Sequence, residues 1–348
     1  MERRREEPAA SEPPRLAVIA RLLDRLALLA AAGLASATVA ALCAKVWWGF
    51  ELFSHFRPHY AALQLPLCAV LFALGRRRVA AAVAVALVPN VWPLLPYLSG
   101  AAAPAVAAGG EPIVLMSVNV EWRNTSSERL LEMIRTESPD AVLVVEYTDD
   151  WRERLEPLFT HYPHRVLRPD DDGRPDNGAF GIALLSRLPL RDARAIRIES
   201  TPAIDATLVA PGGELRLIGV HLRPPTSARW AAERNRQLDA LARLVAESDG
   251  PVAVAGDFNL SPYSPYFSDL LRAAGLRDSR SGSGPDFTWP SFLPVLGIPI
   301  DHVLITPEVR GAAYRRLAAF GSDHYPIVVE LDLGNVPNRN HRAPSQKP

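Results

Sequence analysis

Cysteine is scarce in this chain and lysine nearly missing. The 348 residues hold only two cysteines, Cys43 and Cys68, both inside apolar stretches near the N-terminus. Beyond Cys68 no thiolate zinc site, thiol nucleophile or disulfide can be built. The lysines are Lys45 and Lys347, so basic charge is almost entirely arginine. No excess of one sign exists either, with 38 basic against 38 acidic residues. That balance hides an asymmetry: residues 1–110 carry 11 basic and 6 acidic side chains (+5), and residues 111–348 carry 27 and 32 (−5). The longer part therefore lacks the basic surplus that non-specific duplex binders use. With 48% hydrophobic and 22% charged residues, the composition is that of a folded protein, which excludes a disordered tail or a collagen.

Long apolar runs, by contrast, are plentiful at the start. Residues 26–44 give nineteen positions without a charge, and 79–99 give twenty-one with Asn90 as the only amide. Each approaches the ~20 residues a helix needs to cross a bilayer core. Between them, 60–75 is shorter, interrupted by Gln64 and Pro66, and reads as a third span extended by Pro58 and His59. A secretory signal fits the first run poorly, because further apolar runs follow it. Helices buried in a soluble core are the other reading, but three such runs in succession, with charges only between them, speak for a membrane region over 26–99. Arg3, Arg4, Arg5, Arg15, Arg21 and Arg25 precede the first run, and Arg76, Arg77 and Arg78 separate the second from the third. Keeping both clusters cytoplasmic takes three crossings, which leaves 1–25 inside and delivers the remainder to the extracytoplasmic face. If 60–75 merely dips into the membrane, two crossings return the remainder to the cytoplasm. Residues 100–111, GAAAPAVAAGGE, read as a linker, and 334–348 as a disordered tail.

From Pro112 the texture changes to short apolar runs bounded by turn residues. Seven read as strands: 113–120, 141–146, 180–186, 215–221, 251–258, 300–306 and 326–333. A helix is predicted after the Thr125–Glu128 capping-box spacing, and another over 227–247. Many strands with few long crossovers imply an α/β (α+β) unit of mixed sheets over 112–333.

What ends those strands carries the chemistry. Asn119 closes the first, Glu146 the second and His221 the fourth; Asp257 and Asn259 end the fifth, Asp301 opens the sixth, and Asp323 and His324 precede the seventh. Singly, each has a bland explanation as a turn residue or a structural histidine. Together, strands of one sheet end on common edges, so these groups can converge. Carboxylate and amide oxygens are hard ligands suited to Mg2+ or Mn2+, and with two imidazoles they suit attack of water on a phosphoryl group.

SVN at 117–119, VVE at 144–146, GIALLSR at 181–187, VHL at 220–222, GDFN at 256–259, TW at 288–289, IDHVL at 300–304 and SDH at 322–324 follow one order over about 113–333. In this the chain resembles the endonuclease/exonuclease/phosphatase (DNase I-like) superfamily. The resemblance implies a four-layer sandwich, two mixed β-sheets face to face with helices outside. It implies Glu146 as principal metal ligand with Asn119 and Asp323 near the same ion, and Asp257 as the base aligning water. Asn259 is implied as donor to phosphoryl oxygens, His324 held by Asp301 as stabiliser of developing charge, and His221 on the leaving-group side. Val145 and Gly219 depart from the pattern, since many relatives carry polar residues there. Trp289 and PYSPY at 262–266 read equally as a substrate face or as packing. The expectation is a membrane-anchored, Mg2+- or Mn2+-dependent phosphoesterase whose partners are a phosphoester substrate and the bilayer, with no protein partner inferred. The rival is a membrane-tethered binding module on the same fold.

Overall fold

A computed structural model describes residues 15–99, 111–169 and 180–334. Most of the expected linker, all of the tail beyond Gly334 and residues 1–14 lie outside them.

The N-terminal part is helical: α1 (Arg15–Leu42), α2 (Trp48–Ser54), α3 (Arg57–Ala73), α4 (Arg77–Val91) and a short α5 (Leu95–Leu98) continuing from it through a 3-10 turn. Helix α1 starts well before the apolar run at 26, because arginine and leucine over 15–25 are good helix formers and nothing there breaks the periodicity. Val18–Leu42 and Arg77–Leu98 are long and apolar enough to cross a membrane. Helix α3, at 17 residues, rises ~26 Å, a few ångströms short of a typical hydrocarbon core. It stays helical through Pro66, and Gln64 is fully buried rather than outward-facing. There it joins a small polar cluster, in which Asn90 Nδ2 donates to Thr38 Oγ1 at 2.9 Å and to Gln64 Oε1 at 3.0 Å.

Contacts at the two ends fix how these helices run. Arg76 makes a paired contact with Asp24 at 2.8 Å, which joins the N-terminal half of α1 to the α3–α4 turn. At the opposite end the chain docks on the downstream unit: Arg234 Nη2 to Glu51 at 2.5 Å, Ser264 Oγ to Glu51 at 2.9 Å, His55 Nδ1 with Ser261 Oγ at 2.8 Å, and Tyr97 OH to Asp278 at 3.0 Å. Helices α1 and α4 therefore run towards the downstream unit and α3 away from it.

That unit is the expected sandwich. Strands β1 (Ile113–Asn119), β2 (Ala141–Val145), β3 (His164–Arg168) and β4 (Ile182–Ser186) join the later β11 (Gly311–Arg316) and β12 (Ile327–Asp332) in one sheet, ordered β11-β12-β1-β2-β4-β3. The second sheet contains β5 (Leu190–Ile198), β6 (Thr201–Ala210), β7 (Gly213–His221), β8 (Val252–Asp257), β9 (Arg277–Asp278) and β10 (Asp301–Ile305), ordered β5-β6-β7-β8-β10-β9. Each sheet is antiparallel except for one central parallel pair, β1 with β2 and β7 with β8. Parallel neighbours need a crossover, supplied by α6 (Ser127–Glu137) and α8 (Ala228–Ala246). With α7 (Asp149–Leu155) and α9 (Pro265–Ala274) these helices cover the outer faces.

Alternation along β2 shows why the sequence reads as an unbroken apolar run. Ala141, Leu143 and Val145 enter the core between the sheets, while Val142 and Val144 enter the layer under α6 and α7. Gly219, one of the departures, faces that inter-sheet core, where a Cβ would sit 2.4 Å from Leu143 Cδ1, so any larger residue requires Leu143 to shift. The Thr125 capping box does not form. The N-cap is Ser126, without a side-chain cap bond, and Asn124 Oδ1 accepts the Ser126 N–H at 2.9 Å instead.

Candidate active site

The two parallel pairs bring four strand ends to one edge. In register, His221 lies beside Asp257, and Asp301 opposes Asp257 from the antiparallel β10. Across the sandwich, Asn119 ends β1 and Glu146 follows β2. Both turning residues use the left-handed region, with φ of 62° at Glu146 and 49° at Asn259. At each, the chain leaves the sheet sharply and turns the side chain into the gap between the sheets.

One amide links the two sheets. Asn119 Nδ2 lies 3.1 Å from Glu146 Oε1, 3.1 Å from Asp257 Oδ2 and 3.4 Å from His324 Nε2. Its Oδ1 accepts the Glu121 N–H at 3.0 Å, so a ligand role requires that oxygen to turn inward. Asp257 Oδ2 also faces His221 Nε2 at 3.6 Å and His324 Nε2 at 3.7 Å, while its Oδ1 accepts the Asn259 N–H at 2.8 Å. Asp301 Oδ2 holds His324 Nδ1 at 2.9 Å. Asn259 Nδ2 donates to Leu222 O at 2.9 Å. Phe180 stacks on the His221 ring at 4.7 Å between centroids. Asp323 stands nearest the opening, tied to Trp289 Nε1 at 2.9 Å. The eight residues given site roles from sequence thus lie together at this edge, and the Trp289 indole holds Asp323 in place.

Several supporting groups were given no role from the sequence. Glu146 Oε2 accepts the backbone N–H of Trp122, and Glu121 Oε2 accepts that of Asp323. Thr288 Oγ1 accepts the N–H groups of Ile300 and Asp301, and Ser322 Oγ bridges the Asn119 carbonyl and the His324 N–H. Apart from the local Ser322–His324 bond, these contacts to backbone span 12 to 203 residues of sequence, which spacing does not reveal.

Electrostatics set the demand of the site. Burial, then the charge of Asp301, raises the proton affinity of Asp257, and burial likewise raises that of Glu146. Burial opposes charge on His324, but Asp301, Asp257 and Asp323 overcome it and hold the imidazole well above its usual pKa. Buried carboxylates in mutual repulsion, rich in hard oxygen donors, fit a divalent cation of the Mg2+ type. Asp257, Asp301 and His324 present ligand atoms within 4.8 Å of one another. Two of these already satisfy each other, however, whereas Glu146 and Asp323 face the opening.

Residues 116–324 match the sequence profile described as the Endonuclease/Exonuclease/phosphatase family, more than half of the chain. The chain belongs to this family. The UPF0294 protein VP2298 of Vibrio parahaemolyticus is 27% identical over 172 residues, which is 46% of this chain and 57% of that protein. The match thus spans little more than half of that relative's length. Among solved structures, Caenorhabditis elegans TDP2 superposes with a TM-score of 0.52 at 16% identity, covering 63% of this chain and 97% of that one. Danio rerio TDP2, complexed with a single-strand DNA product, gives 0.53 at 18%, covering 64% and 99%. SmcL gives 0.51 at 17%, covering 64% and 99%. At such identity these neighbours share the family's fold with the chain.

Proposed function

We propose that the chain is a bilayer-anchored phosphoester hydrolase that uses a divalent cation and an activated water. One observation carries this reading: a single amide, Asn119, touches Glu146, Asp257 and His324 at once, so acid, base and imidazole from both sheets share one small volume. Glu146 and Asp323, with Asn119 once its oxygen turns inward, would hold Mg2+ or Mn2+, which when bound neutralises charge on the phosphoryl oxygens. Asp257, whose surroundings raise its proton affinity, takes the proton of the attacking water. Asn259 keeps one amide hydrogen on Leu222 O and offers the other to a phosphoryl oxygen. His324, held charged by Asp301, faces the charge that develops in the transition state. His221, oriented by Phe180, serves the leaving group.

The anchor is α1, α3 and α4, three crossings in the reading favoured here. Large apolar side chains such as Leu29, Leu65, Phe72 and Val85 point outward from these helices, and the polar trio Thr38, Gln64 and Asn90 points inward. A soluble core helix shows the reverse. The end contacts run each helix between the same two levels, with Arg76–Arg78 at the level remote from the sandwich. Arginine bias puts that level in the cytoplasm and the active site outside.

The test is full-length protein in detergent with bis-p-nitrophenyl phosphate, with Mg2+ or Mn2+ and with EDTA. Metal-dependent release is expected, and Glu146→Gln and Asp257→Asn each lower turnover by about 100-fold or more. Only Glu146→Gln also weakens metal affinity. A folded protein without release on any generic phosphodiester or phosphomonoester overturns the hydrolase and leaves the binding module.

A further inference from the structure

Among the described residues from Ile113 onward, the exposed large hydrophobic side chains are Phe292, Leu293, Val295 and Leu296, at 75, 40, 73 and 48%. They form one short segment between Trp289 and Ile298, built around a 3-10 turn at Pro294–Leu296. Elsewhere the sandwich hides such groups, so four in five positions form a distinct patch.

The patch is continuous with the helical bundle and with the active site. The His59 imidazole, at the start of α3, meets the main chain at Val295. The segment therefore sits beside the α2–α3 corner, the level at which the bundle leaves its apolar zone; Trp47 and Trp92 lie exposed at the same end. Its root is the wall of the site: Ser291 N–H donates to Asp323 O at 2.7 Å, Ser291 Oγ to Ser322 O at 2.6 Å, and Tyr325 OH to Ser291 O at 3.2 Å. On the other flank, Ser261, two residues beyond Asn259, bonds His55 of the same corner. Both flanks of the catalytic edge are thus pinned at the level where the helices emerge.

We infer that residues 292–296 dip into the interfacial layer of the bilayer crossed by α1, α3 and α4, and that the site acts on a phosphoester carried by a membrane lipid. This rests on the hydrolase and anchor readings above and narrows their substrate. Apolar side chains at the rim hold the opening against the lipid surface, so a head-group phosphate reaches Asp257 and His324 without leaving the membrane. The −5 balance of residues 111–348 gives no matching attraction for nucleic acid.

Two measurements on the full chain in vesicles of equimolar phosphatidylethanolamine and phosphatidylglycerol test this. First, a nitroxide on Val295→Cys, with Cys43 and Cys68 replaced by serine, should collide more with oxygen than with a water-soluble nickel chelate. The reverse overturns the membrane placement whatever the turnover. Second, Phe292→Ser/Val295→Ser should lower release of phosphorylated head group by about ten-fold or more, as expected for losing two inserted side chains. Hydrolysis of bis-p-nitrophenyl phosphate should stay unchanged, since neither side chain touches the site. Equal loss on both substrates, no loss on either, or bis-p-nitrophenyl phosphate hydrolysis without head-group release overturns the lipid substrate. Faster cleavage of a single-stranded oligonucleotide does the same in favour of nucleic acid. No metal-dependent hydrolysis of bis-p-nitrophenyl phosphate, with oxygen still favoured at position 295, would instead refute the hydrolase reading alone.

Discussion

The helices over 15–98 and the sandwich over 113–332 expose different kinds of side chain. Within the bundle the buried set includes Thr38, Gln64 and Asn90, and the exposed set includes Leu22, Leu29, Leu65, Phe72 and Val88. Within the sandwich, Leu115, Leu143, Leu217 and Val329 are fully buried between the sheets, and four buried ionisable groups, His221, Asp257, Asp301 and His324, gather at one edge. The sandwich hides its large apolar side chains from water, whereas in the bundle the polar side chains pair with each other inside and large apolar ones face outward. Where the two regions meet, neither rule suffices, and the join is made by charge: Glu51 and Arg234, at 1% and 0% side-chain exposure.

Breaking the sandwich's side of this comparison should have the largest effect. Gly256, one residue before Asp257, has φ of 133°, and a Cβ there would lie 1.9 Å from the Val220 carbonyl oxygen on the neighbouring strand. Gly256→Ala is expected to cost about 4 kcal/mol or more, seen as loss of folded protein in thermal unfolding. Next comes the join. Glu51→Leu strands Arg234 in a dry interface and should cost about 3–5 kcal/mol, while Glu51→Leu/Arg234→Leu should recover most of it. A Glu51→Leu protein as stable as the original would show that water enters the join and that the two regions do not pack as described.

How much of this was legible in the sequence follows the same division. Strands buried on both faces, such as Ala141–Val145 and Val252–Asp257, announce themselves as apolar runs. The Arg-rich edge strand Leu190–Ile198 is mostly exposed, and Thr201–Ala210 carries Pro202 and Asp205, so neither resembles a core strand. Asp205 is nevertheless buried and held below the usual carboxylate range: burial raises its pKa, but hydrogen bonds from Arg216 and Arg194 outweigh that. The site residues were readable because each ends a strand. Thr288 and Ser322 stand in the TW and SDH motifs, but their supporting roles were not readable, since the partners Ile300, Asp301 and Asn119 come from other segments. PYSPY at 262–266 meets the N-terminal helices: Tyr263 packs on Leu94 and Tyr97, and Ser264 donates to Glu51. No local pattern distinguishes such docking from a turn.

A smaller effect tests the join by pH. His55 Nδ1 accepts from the Ser261 hydroxyl, and burial, with the Arg234 charge, lowers its pKa to about 3. The folded state thus binds fewer protons at His55 than the unfolded state between about pH 3 and its ordinary 6.5, so its contribution falls as pH drops through that window. At pH 5.5 the loss relative to pH 7.5 should be about 1 kcal/mol, and His55→Gln should remove that share. His302 is depressed in the same direction and stays in both proteins, so the difference between the two unfolding curves isolates His55. Identical pH slopes would mean that water reaches the imidazole.

The smallest expected change sharpens the bundle's side. Gly33 lies in the middle of α1, exposed, with nothing within 4 Å of an added Cβ. A glycine inside a helix is about 1 kcal/mol less favourable than alanine, because the unfolded backbone has more freedom to lose. Where the space beside it holds only lipid or detergent, Gly33→Ala should raise the unfolding temperature slightly, by an amount worth about 0.5–1 kcal/mol. The opposite sign carries information too. A measurable loss of stability at Gly33→Ala would mean that a second helix approaches this face closely enough for one methyl group to push it away. That face would then belong to an interface between chains, with the outward-facing apolar surface of α1 partly covered by protein.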